Sequence, residues 1–514
     1  MFWSVISAIP SATLLGVEGR PVSIEVHVAN GLPTFNVVGM PDPAVRESRD
    51  RVRAALVSSG MPWPMKRVTV NLAPGGVRKG GPGLDLPIAV ALLIAAGELS
   101  AECAEGMAFL GELGLDGSVR PVTGVVPMVG AMVSPEVVVA RACAREAALL
   151  GRHRVRPVGS IAEVVACLRG EQPWDASPGR GVGCGAAAVG GGGGRGLDLA
   201  DVRGQPVGRT AVEVCAAGGH HLLLCGPPGA GKTMLARRLP GLLPALPAEV
   251  ALEATNIHSA AGVALPGGGL VEQPPFRAPH HGASMVALIG GGSAWMRPGE
   301  ISLAHGGVLF LDELGEFPAT VLDALRQPLE EGVVRLSRAR SNVELPARFL
   351  LVAATNPCPC GRGAADGQCR CSPAARARYR RRLSPPLLDR FDLRVIVSRP
   401  DPGMLLAGPP GESTAPVAAR VAQARARAAA RGVRCNAELP AARLDEVAPL
   451  TPAAITLLEF KLRNGTLSGR GLHRVRRVAR TLADLAGDGE VVSEEHVCLA
   501  LGLRGDVGVE EAAA

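Results

Sequence analysis

From Pro21 to Val28 the chain alternates apolar and polar, with Val22, Ile24, Val26 and Val28 on one side. That period of two predicts a half-buried strand ending at the Asn30-Gly31 turn. Phe35 to Val38 offers a second strand, and Val68, Val70 and Leu72 alternate again. Between them Asp42 and Pro43 read as the cap and first position of an Arg-rich helix reaching about Ser58. Asp85 and Pro87 introduce a helix that is apolar all round and stops near Gly97. Asp116-Gly117, between GELGL and SVRPV, is a hairpin signal, and Glu136 to Ala140 is a further strand. These elements make one α/β unit of about 165 residues without a phosphate loop.

Farther on, the pattern changes from alternation to short, wholly apolar runs, each ending in polar residues. Leu222 to Cys225 is followed by Gly226, Pro227, Pro228, Gly229, Ala230, Gly231, Lys232 and Thr233, and then by an apolar helical pattern. Strand, Gly-rich loop and helix in that order are the context that G-x-x-x-x-G-K-[ST] requires. Backbone N–H groups would wrap phosphates, Lys232 would reach the β/γ-phosphates, and the Thr233 hydroxyl would face Mg²⁺. Val308 to Leu311 runs into Asp312 and Glu313, placing two carboxylates at the C-terminal end of a buried strand. Asp312 would hold Mg²⁺, and Glu313 would orient the attacking water. Leu350 to Thr355 repeats the design and ends in Asn356. This combination predicts an ATP site.

Composition narrows the setting. The 514 residues allow about three domains. Residues Glu171 to Arg195 are so glycine-rich that they read as a linker. The formal charge of +7 permits a nucleic-acid partner without requiring one. No Lys or Arg precedes Arg20, so the start lacks the basic region of a signal peptide. Ile88 to Ala96 is too short for a ~20-residue membrane span. Of 12 cysteines, four crowd between Cys358 and Cys371, a distribution that suits a reducing cytoplasm better than a disulfide framework. Cys358, Cys360, Cys369 and Cys371 form two C-x-C pairs, which read either as a tetrahedral Zn²⁺ site or as a loop of free thiols. His280 and His281 have no second ligand pair in metal spacing and are read as loop packing or polymer contact. Gln327 to Phe349 alternates on either side of a Ser337-Arg338-Ala339-Arg340-Ser341 tip. That tip is either a solvated basic turn or a grip on phosphates through Arg338 and Arg340.

The segments EVHVANGLPTFNVVGMPDPAVRESRDRVRAAL, GPGLDLPIAV, GELGLDGSVRPVTGV, PFRAPHH, GEISLAHGGVLFLDEL and ATNPCPCG resemble the YifB/ComM family of Mg-chelatase-like AAA+ proteins. The resemblance implies an α/β architecture in three parts. Residues 1–170 would form a Lon-protease-like (ribosomal S5 domain 2-like) domain, 171–195 the linker, 196–400 a P-loop AAA+ domain, and 401–514 a C-terminal helical lid. A Lon-type protease needs a Ser nucleophile and a Lys, but the matching positions carry Gly83, Leu84, Asp85 and Leu86, then Val125 and Val126. No active protease is expected, and the front domain reads as a structural or docking module. By resemblance, Asn356 would be sensor 1, Arg390 an arginine finger completing a neighbour's site, and Arg470 or Arg474 sensor 2. Asp198 to Gln205 would contribute to the adenine pocket, Asn436 and Ala437 fit the lid pattern, and Gln327 to Phe349 would be an inserted pore hairpin. The remaining arginines of the last long helix read as a solvated face, and no strong chemistry is expected beyond Ala483. The family implies a cytoplasmic hexameric ring that hydrolyses ATP with Mg²⁺ and acts on single-stranded or branched DNA. Its work would be helicase-type branch migration in recombination and natural transformation. The alternatives are a magnesium-chelatase motor subunit and a protein-remodelling ATPase.

Overall fold

The computed structural model describes residues 6–76, 79–177, 196–292, 296–338, 341–362 and 369–505. Four strands open the chain: β1 (Ile6–Leu15), β2 (Glu18–Ala29), β3 (Thr34–Val38) and β4 (Arg67–Ala73). They pair in the order β1-β2-β4-β3, with β3 parallel to β4 and the other pairs antiparallel. As the alternation predicts, Val22, Ile24 and Val26 point into the core. β1 escapes the pattern reading because Pro10 and its small polar residues interrupt the alternation, although Ser7 and Ser11 are buried and donate to Ala91 O and Phe109 O.

The apolar helix α1 (Asp85–Ala96) runs through the middle of this unit, every residue from Asp85 to Ala95 buried. The left-handed Gly97, φ +84°, closes it. Asp85 does not cap it. A 3₁₀ turn over Pro82–Leu84 already leads into the helix, and the fully buried Asp85 carboxylate accepts Arg51 Nε at 2.6 Å and a second Arg51 nitrogen at 3.0 Å. Asp42 caps as expected, accepting from Val45 N–H at 2.8 Å, but the Arg-rich helix breaks at Glu47 into Pro43–Arg46 and Ser48–Ser58. The strands Met107–Leu110, Glu136–Ala140 and Arg154–Val158 form a parallel sheet beside it.

The central unit is a five-stranded parallel sheet. Its strands are β5 (Leu222–Cys225), β6 (Phe276–Arg277), β7 (Val308–Leu311), β10 (Leu350–Thr355) and β11 (Leu393–Ile396), in the order β6-β7-β10-β5-β11. Helices cover both faces, so β5, β7 and β10 are buried throughout and read as continuous apolar runs. Between β7 and β10 the chain makes the expected hairpin, β8 (Val333–Arg338) against β9 (Ser341–Pro346), in register from Val333↔Pro346 to Arg338↔Ser341.

The front unit meets the central unit at a short helix and at the turn between β1 and β2. The short helix α2 (Val125–Gly130) abuts α5 (Ala248–Ala261), where Gly124 N–H donates to Ser259 O at 2.9 Å and Val126 packs with Ala254, Leu265 and Val271. The turn between β1 and β2 reaches the base of the inserted hairpin, so closely that a Cβ on Gly16 would meet Val343 Cγ1 at 2.3 Å.

The last unit is helical, with Thr414–Ala430, Pro452–Arg463, α6 (Gly469–Ala486) and Glu494–Gly502. The first of these starts at Thr414, with Pro416 in its first turn. The arginines of α6 are not a solvated face. Arg476 and Arg480 are 9% and 1% exposed, and Arg480 pairs with the buried Asp484, which also binds Arg431 and Asn436. Charge-bearing chemistry therefore continues past Ala483, holding the helical unit together. Among the described residues no helix is long and apolar enough to cross a membrane.

Candidate nucleotide site

β5 delivers the chain to Gly226, whose N–H donates to Thr355 O at 3.1 Å. Only glycine fits there, since a Cβ would lie 2.1 Å from Val397 O. The loop then turns through Gly229 and Gly231, φ +80° and +89°, values that side-chain-bearing residues rarely adopt. It ends in α4 (Lys232–Ala236). Residues Pro228 to Met234 line one wall of a cleft of about 410 Å³, and the tips of β7 and β10 line the other, with Asp312, Glu313, Ala354, Thr355 and Asn356. The phosphate loop, both strand-end carboxylates and Asn356 thus converge on one cavity.

Lys232 is 8% exposed. Its ammonium donates to Gly226 O, to Pro227 O at 3.0 Å and to Asn356 Oδ1 at 3.1 Å, so it bridges the loop and the tip of β10. Burial lowers its pKa from the usual lysine value. Arriving phosphate oxygens would stabilise the charged form. Thr233 Oγ1 donates to Asp312 Oδ2 at 2.7 Å, and Asp312 Oδ1 accepts Glu313 N–H at 3.0 Å. A hydroxyl and a carboxylate side by side are the hard oxygen donors that Mg²⁺ takes, so the residues present fit the ion. Glu313 sits at φ +52°, an uncommon conformation for a non-glycine residue that turns it out of line with β7.

His281 reaches this cleft too. Its Nδ1 lies 3.3 Å from Glu313 Oε2, and its ring stacks on His280 with centroids 4.0 Å apart. Loop packing accounts for the stacking but misses the contact with Glu313. Nothing in the local pattern around PFRAPHH announces it, because it depends on β6 lying beside β7. Asp198 to Gln205 packs behind the phosphate loop, with Gln205 Nε2 donating to Ala230 O at 2.9 Å and to Ser398 O at 2.6 Å.

Residues 198–404 match the family described as magnesium chelatase, subunit ChlI, residues 411–504 its C-terminal region, and residues 24–141 the family described as subunit ChlI of Mg-chelatase. The chain is 47% identical over 485 residues to Rv2897c of Mycobacterium tuberculosis, covering 93% of this chain and 94% of the relative. It is 42% identical over 514 residues to YifB of Escherichia coli, with 97% of each covered. Against competence protein ComM of Haemophilus influenzae it is 42% identical over 497 residues, with 96% of each covered. The chain belongs to the YifB/ComM family of Mg-chelatase-like proteins. Membership of this AAA+ group implies an ATPase-type activity that uses ATP and Mg²⁺.

The remaining candidates of this YifB/ComM-family chain lie outside the cleft. Arg390 pairs with Glu330, and burial together with the charges of Arg474, Arg326 and Arg470 lowers its pKa. Arg474 donates to Asp392 Oδ1 at 2.6 Å and to Arg390 O at 3.2 Å, which ties α6 to the segment that carries Arg390. Burial pushes the Asp392 carboxyl up, but His220 and the charge of Arg474 outweigh it and hold the group well below the ordinary range. Arg470 is exposed near the start of α6. Arg340 and the side chain of Arg338, the two hairpin-tip candidates, lie outside the described residues.

The four clustered cysteines do come together. Cys358 Sγ is 3.3 Å from Cys360 Sγ and 3.6 Å from Cys369 Sγ, and one sulfur from each of the four, Cys371 included, falls within 4.8 Å of the others. Hydrogen bonds from Arg362 N–H and Cys358 bring the Cys360 thiol down to about 6, toward the thiolate that metals bind.

Proposed function

We propose that this chain is the subunit of a ring-shaped, hexameric AAA+ motor that hydrolyses ATP to move along DNA, a helicase promoting branch migration in recombination and natural transformation. The observation that carries it is a complete phosphate site, Lys232, Thr233, Asp312, Glu313 and Asn356, on a sheet that also projects the β8–β9 hairpin. The name of the ComM relative supports the competence link. The units are read as a Lon-protease-like front domain, a Gly-rich linker, the AAA+ domain and a helical lid. The cytoplasm is the proposed setting.

In this reading the phosphate loop binds ATP and Lys232 leaves its carbonyl partners for phosphate oxygens. Thr233 and Asp312 would hold Mg²⁺, which when bound neutralises phosphate charge. Glu313 accepts a proton from the attacking water as it orients it, and Asn356 positions that water. Arg390 acts on the neighbouring subunit's site, consistent with its absence from its own cleft. Arg470, which is exposed and forms no ion pair among the described residues, is the sensor-2 candidate the lid leaves free. Arg338 and Arg340 grip phosphates in the central channel. No peptidase step is proposed, because no serine stands among Gly83, Leu84, Asp85 and Leu86, and Val125 and Val126 stand where the lysine would fall. Cys358, Cys360, Cys369 and Cys371 are read as a structural Zn²⁺ site.

ATP turnover measured with single-stranded, forked and duplex DNA, with a porphyrin and with an unfolded protein tests the substrate. Stimulation by DNA alone is expected. Stimulation by the porphyrin or by the unfolded protein, without any by DNA, would replace this reading with a chelatase or a remodelling motor.

A further inference from the structure

The cysteine cluster lies against the nucleotide cleft. Two peptide bonds separate Cys358 from Asn356, whose side chain holds Lys232. Cys358 is 1% exposed, and Gly361 N–H donates to Cys358 O at 2.9 Å. Gly361 in turn rests on the phosphate loop, where a Cβ would meet Pro228 Cδ at 2.6 Å. Its φ of +78° adds a second reason for glycine. The described residues from Pro357 to Arg362 and from Cys369 to Ser372 belong to no helix or strand. A tetrahedral Zn²⁺ with ~2.3 Å bonds holds its sulfurs about 3.8 Å apart. The Sγ separations of 3.3, 3.6 and 3.7 Å among Cys358, Cys360 and Cys369 are close to that spacing and well beyond a disulfide bond.

We propose that Zn²⁺ bound by Cys358, Cys360, Cys369 and Cys371 pins the strip from Asn356 to Arg362 against Pro228, so that zinc occupancy sets the affinity of the phosphate loop for nucleotide. The proposal rests on the zinc reading above. With zinc bound, Asn356 and the Pro228 turn are held from behind. Without it, the strip relaxes, and the Asn356 partner of Lys232 and the packing under Pro228 are lost together. The cleft then orders itself at the expense of binding energy.

The experiment uses the full chain, purified anaerobically, with zinc measured by elemental analysis and thiols by titration. Nucleotide affinity is read by titration with a fluorescent ATP analogue. The loaded chain is expected to carry about one Zn²⁺, and a zinc-selective chelator should weaken nucleotide binding about tenfold, the scale of one charge-assisted hydrogen bond. Adding Zn²⁺ back should restore both. Gly361→Ala should keep its zinc while weakening nucleotide binding, because the added methyl pushes on Pro228. Absence of zinc with all four thiols titratable overturns the site and the coupling together. Zinc that comes and goes with no change in nucleotide affinity overturns the coupling and leaves the site standing. A zinc-loaded chain that binds no nucleotide at all counts against the ATPase reading itself.

Discussion

By resemblance Arg470 or Arg474 would sense the γ-phosphate, and the contacts of Arg474 make it a strut between α6 and the sheet. Its guanidinium donates at 2.6 Å to Asp392, which is 7% exposed and stands at the start of β11. Arg474→Ala would leave that carboxylate buried beside His220, whose Nδ1 is 3.6 Å away and only partly compensates. Removing one partner of a buried pair costs about 3–5 kcal/mol, and the histidine places the expected loss near the lower end, about 3 kcal/mol. For a unit of this size that is a fall in thermal midpoint of roughly 6 °C. Adding Asp392→Asn removes the stranded charge, so the double variant should recover most of the loss. The measurement is calorimetric melting of the wild type, both single variants and the double, with nucleotide affinity titrated on each. Since Arg474 also holds Arg390 O, turnover should fall with the single variant while nucleotide affinity stays. An unchanged midpoint together with a tenfold weaker affinity for ATP would show that Arg474 serves the phosphate and that the strut assignment is wrong.

Lys232→Ala should lower nucleotide affinity by about 10²–10³, as two charge-assisted contacts are lost, whereas Glu313→Gln should still bind ATP and stall; full turnover by Glu313→Gln would remove Glu313 from its role. Arg390→Ala should lose about 10³–10⁵ in turnover with affinity kept, and mixing it with Lys232→Ala chains should restore some sites; no rescue at any ratio argues against action on a neighbour. Arg338→Ala with Arg340→Ala should weaken DNA binding, flatten its salt dependence and spare basal ATP hydrolysis, as filter binding across a salt series would read. His221 Nδ1 accepts Leu351 N–H at 3.0 Å, and burial pushes the ring down to about 4. A depressed histidine contributes stability that is present above its unfolded value and lost as pH falls through its folded one. Up to about 3 kcal/mol should therefore disappear between about pH 6.5 and 4, and His221→Gln should flatten urea unfolding across that window.

The phosphate loop and both strand-end motifs were legible because each is a run of neighbours whose chemistry is local. Gly226 to Thr233 needs only its own backbone to wrap a phosphate, and a strand buried on both faces can hardly be written except as an apolar run ending in polar residues. The alternation of β2 and β4, the Asp42 cap and the β8–β9 hairpin belong to the same class. The misses share a cause. Asp85 introduces α1 but gives its carboxylate to Arg51, and the arginines of α6, which read as a solvated face, meet Asp445, Asp484 and Asp392. Asp484 lies one helical turn from Arg480, but the other partners lie 31 to 82 residues away in sequence. A buried ion pair leaves no periodic trace, because it needs one opposite charge at one distant position. The same holds for His281 beside Glu313 and for Gly361 under Pro228, which become neighbours only once the tips of adjacent strands meet at one edge of the sheet. The sequence by itself determined which segments could bind a phosphate. The tertiary structure alone decided which charges face it and which hold the C-terminal helices to the sheet, because burial raises the cost of a charge without a partner and only the fold supplies that partner.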